Sequence, residues 1–237
     1  MMIKEFQKSY SKLKTKGGEN IMKKIIMIMF MLAFVFAMTA PTVQATPYLL
    51  LDDGNGHTAL ITDGSLSDIN ALTGAITFSG ALGNWIVNVT TGVTMPVLGS
   101  ATAPDIDLNS VNIRSTGSGT MSILFFADGF GPFNGVLTTD VGGTASGTIS
   151  FLTGVNLTQV SYLGPLGPGA FSGSTSAGTS FSPGSNIELV ALITQTGPGA
   201  TSFNAEAKGV GVPEPGTIML LGTGLASLAF FGRRRKN

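Results

Sequence analysis

Cysteine is absent from the chain, which excludes disulfides, thiolate metal sites and cysteine nucleophiles and leaves packing alone to hold the fold. Histidine occurs once, so any mechanism with an imidazole base must run through His57. Charged residues make up only 11% of the sequence, unlike a cytosolic enzyme or a long acidic disordered tail. No helical period is sustained through the central region, which argues against a helical domain. The charge that does occur is partitioned. Residues 1–24 and 233–236 hold most of the cations, whereas residues 46–211 hold Arg114 and Lys208 against ten acids, a net charge of −8. Such a domain repels phosphate backbones, so nucleic acid is not an expected partner.

Glycine is abundant at 33 residues, and short β-branched and aromatic runs alternate with Gly, Asn, Asp, Ser and Pro breaks. The pattern predicts strands over residues 48–51, 58–62, 75–79, 85–91, 107–114, 120–127, 135–140, 147–152, 158–163, 187–196 and 201–208. Trp85, Val87 and Val89 alternate onto one side of their strand. Ser122 to Ala127 is apolar on both sides, as a central strand should be. Residues 164–184, rich in Gly, Pro and Ser, read as a long loop, and the stretch after Lys208 reads as a flexible spacer. The fold expected is all-β: a single β-sandwich or jelly-roll-like domain, flanked by an N-terminal signal-peptide helix and a C-terminal transmembrane helix.

The two ends carry addresses. Lys23 and Lys24 precede an unbroken apolar run over residues 25–38, and Val43 and Ala45 then supply a small-x-small exit. This predicts a signal peptide over residues 22–45, cut by signal peptidase after Ala45, since the apolar run is too short for a permanent span. Residues 1–21 are long, polar and lysine-rich for such a leader. They are expected to be an extension upstream of the true start at Met22. At the other end stand Val212, Pro213, Glu214 and Pro215, followed by an apolar stretch over residues 217–232 and by Arg233, Arg234, Arg235 and Lys236. The prolines keep the motif extended, so that an enzyme can grip it. The apolar stretch enters the membrane, and the basic cluster stops translocation on the cytoplasmic side.

Residues 212–237 resemble the PEP-CTERM sorting signal in motif, order, spacing and terminal position. The resemblance implies an exported substrate of exosortase, held in the inner membrane as a precursor and then delivered to the cell surface or extracellular matrix. It also associates the domain of residues 46–211 with extracellular polysaccharide, in a structural or adhesive role without cofactor or catalysis. Two alternatives are a carbohydrate-binding module and a secreted hydrolase.

Few residues of the domain point to chemistry. Asp52, Asp53 and Asn55 resemble part of a calcium loop but lack the closing bidentate Glu, and a type I′ hairpin turn accounts for them. Asp105 and Asp107 share one side of a strand, as glycosidase carboxylates could, but two acids alone are weak evidence, and solvent-facing Asp flanking Ile106 and Leu108 explains them without chemistry. Trp85, Tyr48 and Tyr162 form a candidate sugar-stacking platform, although aromatics in sandwiches usually belong to the core. No catalytic or metal-ligating residue is assigned.

Overall fold

The computed structural model describes residues 45–212 and 223–224. Residues 22–44 of the signal peptide, the motif residues Pro213, Glu214 and Pro215, and Arg233 to Lys236 therefore lie outside the described residues, as does the apolar stretch over residues 217–232 apart from Thr223 and Gly224. Among the described residues the chain forms β1 (Tyr48–Asp52), β2 (Thr58–Thr62), β3 (Ala75–Leu82), β4 (Trp85–Val93), β5 (Asp105–Ser115) and β6 (Gly119–Phe130). It continues as β7 (Phe133–Ala145), β8 (Thr148–Val155), β9 (Thr158–Leu166), β10 (Gly169–Phe181), β11 (Ser185–Gln195) and β12 (Gly199–Gly211).

Two six-stranded sheets result. Sheet A has the order β2-β1-β6-β11-β8-β9 and sheet B the order β10-β7-β12-β5-β4-β3. Every pairing within them is antiparallel. The chain crosses repeatedly from sheet to sheet at tight corners, so β5–β6 runs beside β11–β12. At these corners glycine is a steric requirement. A Cβ on Gly147 would collide with the Thr194 carbonyl, and Gly131 (φ +93°) would strike the Ser182 carbonyl.

The interior is built by alternation. Trp85, Val87 and Val89 of β4 turn inward, as do Ile106, Leu108, Val111 and Ile113 of β5. From sheet A they meet Leu49, Leu51, Ile123, Phe125, Leu189, Ala191 and Ile193, all buried. Phe151 of β8 and Phe203 of β12 join the layers edge-on, with ring centroids 5.3 Å apart at 74°. Each large side chain removed from water contributes about 1.5–3 kcal/mol.

Polar groups interrupt this dry layer at two places: Gln195 donates to the Thr201 hydroxyl at 2.9 Å between the sheets, and a larger cluster gathers around Thr139. Thr139 of β7 lies 2.5 Å from the hydroxyl of Thr153 of β8 and 3.3 Å from that of Ser161 of β9, all three buried. The hydroxyls satisfy one another across the two sheets, which is the condition for burying them without penalty.

Two expectations are corrected. Residues 164–184 are not a loop, because β10 occupies most of them and pairs with β7 over its whole length without a register shift. Its Ser, Thr and Gly composition suits an edge strand that is exposed on one side and only half-buried on the other. Its apolar anchoring is confined to Phe171 and Phe181; the latter stacks on Phe133 at 4.9 Å. The flexible spacer after Lys208 is also absent, since β12 continues to Gly211.

Replacing Thr139 by Val leaves the Thr153 and Ser161 hydroxyls short of a buried partner, so stability should fall by about 1–3 kcal/mol. The Thr139→Val, Thr153→Val double variant should lose less than the sum of the two singles, as read from urea denaturation midpoints.

Candidate functional site

The end of β12 determines how the C-terminal motif is presented. β12 lies between β7 and β5, and its last residues pair with β7 alone. Beyond Gly211 the Val212 N–H donates to the Asn134 carbonyl at 2.9 Å. The first motif residue is thus still attached to the sheet, and the proline that follows it in the sequence has no N–H to donate. At the other end Ala45 is buried, and the Thr46 N–H donates to the Asp128 carboxylate at 2.7 Å.

The β1–β2 connection is not a two-residue type I′ turn. Its Asp53–His57 loop folds around the buried Asp53 carboxylate, which accepts the N–H of Asn55 at 2.8 Å and that of His57 at 3.1 Å. The same carboxylate contacts the His57 ring at 2.8 Å. Burial alone would raise the Asp53 pKa, but the hydrogen bonds from Asn55 and His57 outweigh it and hold the carboxyl below its usual range. The carboxylate of Asp52 is occupied by the Gly54 N–H at 2.8 Å. These acids close a loop.

The outer side of sheet B gathers acids that are distant in sequence. Asp107, Glu206 and Asp140 lie directly opposite one another across β5, β12 and β7, and like charges so placed repel. They rim a depression of about 390 Å³ that also takes in Asn109 and Asn204. Burial, followed by the neighbouring Glu206, pushes the Asp107 carboxyl up to about 6. Asp105, expected to face solvent, is instead 3% exposed and held by the Lys208 ammonium at 3.1 Å. Its carboxyl is also raised, chiefly by burial, with Lys208 acting against the rise. Among the described residues no group of three or more His, Asp or Glu side chains is placed to hold a metal ion.

The outer side of sheet A is different in kind. Leu60, Leu50, Leu124, Val190, Leu152 and Tyr162 stand directly opposite one another in a single row across all six strands. Leu60 is 60% exposed and Tyr162 47%. Beside this row Tyr48 and Phe126 stack at 4.5 Å, next to Glu188, and on the other side lies Leu192, 39% exposed. Glu188 borders a depression of about 240 Å³ with Leu124, Leu152, Leu157, Gln159 and Val190. Its carboxylate accepts the Leu157 N–H at 2.9 Å, yet burial raises its pKa. Trp85 is 1% exposed inside the sandwich and cannot serve as a sugar platform.

Residues 211–236 match the family model of the PEP-CTERM protein-sorting motif. The chain carries a PEP-CTERM sorting signal. The match begins at Gly211, the last residue of β12, so the folded sheet and the PEP-CTERM segment adjoin directly. A search of curated proteins finds no match. Among solved structures, the chain is similar to TmCBM61 in complex with β-1,4-galactotriose, at 10% identity and TM-score 0.30, with 51% of this chain and 86% of that one covered. It is similar to a family 35 carbohydrate binding module from Clostridium thermocellum, at 12% identity and TM-score 0.25, covering 55% and 96%. It is also similar to the K1 cleaved adhesin domain of Lys-gingipain from Porphyromonas gingivalis W83, at 9% identity and TM-score 0.27, covering 58% and 99%.

Folding disfavours the charged form of Asp107, so the resulting penalty is absent below pH 3.8, grows as pH rises toward about 6, and is constant above that. Asp105 and Glu188 act in the same sense. The domain should therefore melt at a higher temperature at pH 5 than at pH 7.5. Asp107→Asn should raise the pH 7.5 melting temperature and flatten this slope; an unchanged slope would move its origin to the other two acids.

Proposed function

We propose that this chain is an exported surface or extracellular-matrix protein, sorted and processed by exosortase, whose β-domain has a structural or adhesive role. The observation that carries the reading is the PEP-CTERM segment at residues 211–236, joined without a spacer to a folded all-β domain. Recognition falls on Val212, Pro213, Glu214 and Pro215, while residues 217–232 and the cluster Arg233, Arg234, Arg235 and Lys236 hold the precursor in the inner membrane. The Val212 N–H is bonded to Asn134, so exosortase works beside a formed sheet, or on a β12 end that has first frayed from β7.

The N-terminal geometry fits the same path. Signal peptidase cleavage after Ala45 would turn the Thr46 amide into an ammonium, already 2.7 Å from the Asp128 carboxylate. Such a charge-assisted bond is shorter and stronger than its neutral counterpart. A non-catalytic domain is favoured by the engagement of the lone imidazole: His57 is bound to Asp53 and closes a loop. Asp105 is likewise occupied by Lys208.

Intact-mass analysis of envelope and culture-supernatant fractions tests the proposal. The wild-type protein is expected to begin at Thr46 and to end within residues 212–216, whereas Glu214→Ala should keep its tail and remain in the membrane. If both forms retain Asn237, the segment serves only as an anchor and exosortase processing is wrong.

A further inference from the structure

The charge of the domain is uneven in space as well as in sequence. Residues 141–187 contain no charged side chain, and they supply all of β8, β9 and β10, so one edge of the sandwich is neutral in both sheets. The opposite edge, made by β2 and β3, is bordered by Asp52, Asp53, Asp63 and Asp68. A free strand edge is a template for pairing with another chain, and stable domains block it. Three of the four edges here are blocked. β2 is only five residues long. β3 is capped at Thr77, whose carbonyl accepts the Ile69 N–H at 3.1 Å and whose N–H donates to the Asp68 carboxylate at 3.0 Å. β9 contains Pro165 and two register shifts against β8. β10 has none of these devices. It runs for 13 residues without proline, charge or bulge, and among the described residues its main chain is bonded to β7 alone.

We infer that β10 is a self-pairing edge: a second copy of this chain lays its own β10 antiparallel against it, about a two-fold axis through Thr175, and joins the two B sheets into one. Two domains of net charge −8 can approach closely only where both are neutral, and this edge is such a place. The nearest acid, Asp140 of β7, stands opposite Ser174 and one strand in. Three strand spacings of ~4.8 Å keep it about 14 Å from its counterpart, beyond the ~8 Å screening length at physiological salt. The sequence of β10 is also matched to itself about Thr175. Ser174 faces the second copy's Ser176, Gly173 its Ala177, Ser172 its Gly178 and Phe171 its Thr179, so small side chains meet small ones and the two Phe171 rings stay apart. An unrelated extended segment would need no such symmetry. The same two-fold keeps outer side with outer side and brings β9 alongside its counterpart, with no charge on either. Pairing closes on itself, because the joined sheet ends at both margins in the capped β3.

The test is sedimentation equilibrium across the micromolar range on residues 46–212, whose core closes within that segment. The wild type should sediment as a dimer. Ser172 and Gly178 both lie on the exposed outer side, and a Cβ at Gly178 meets nothing within 4 Å. The double variant Ser172→Lys, Gly178→Lys sets like charges opposite each other twice across the pair and should weaken self-association about tenfold or more. The double variant Ser172→Lys, Gly178→Glu sets opposite charges at the same two points and should keep the dimer. Trp85 fluorescence, which reports the core, should be the same in all three proteins. A wild type that is monomeric throughout would overturn the inference, as would a dimer indifferent to the first double variant. Equal weakening by both variants would overturn it too, since the edge would then hold something other than an antiparallel copy. None of these outcomes depends on exosortase, so failure here leaves the sorting proposal standing.

Discussion

Phe151 and Phe203 meet between two sheets that nothing covalent holds together, and the rest of the domain depends on that dry interlayer contact. A chain without cysteine can export a stable sandwich only if inward residues of both sheets exclude water along their whole length. This requirement explains the alternation in β4 and β5, and it explains the glycines at the corners. The chain must turn from one layer into the other within two or three residues, and a Cβ at Gly147 or Gly131 would collide with neighbouring carbonyls. It also explains why Thr139, Thr153 and Ser161 appear together: a hydroxyl buried in that layer is tolerable only with partners.

With the interior satisfied, the outer sides are free to differ, and they do. Acids face one another across sheet B at the cost of mutual repulsion and a raised Asp107, while sheet A carries an apolar row with Asp52, Asp128 and Glu188 beside it. Neither arrangement helps the isolated domain. A row of facing carboxylates and a row of leucines left partly in water are both small penalties for a monomer, which is why these surfaces, and not the core, bear on how the exported domain meets its surroundings. The join between β12 and the PEP-CTERM segment adds a further constraint, since the matched segment begins at Gly211, where the sheet stops, and Val212 is still bonded to Asn134.

The strands through Trp85, Val87 and Val89 and through Ser122 to Ala127 are legible in the amino-acid sequence because their cues are local: alternation in one case, double-sided apolarity in the other. β10 is not legible in this way, because an edge strand needs little burial and its Ser-Gly-Thr composition is that of a linker. Asp105 and Asp107 can be seen to share a side, but the arrival of Glu206, Asp140 and Lys208 beside them requires the pairing of β5, β12 and β7. Trp85 can be placed on a strand but not inside or outside the sandwich. Its burial depends on which side of sheet B meets sheet A.

The sequence by itself determined the sorting signal, the absence of covalent staples and the strand-forming habit of the domain, because each is written in contiguous residues whose chemistry needs no partner. Only the tertiary structure decided the sheet order, the single row running from Leu60 to Tyr162, the acidic row on the opposite side and the direct join at Val212. Each of these depends on register between strands that lie tens of residues apart, and a one-residue slip would turn every side chain to the other side of its sheet.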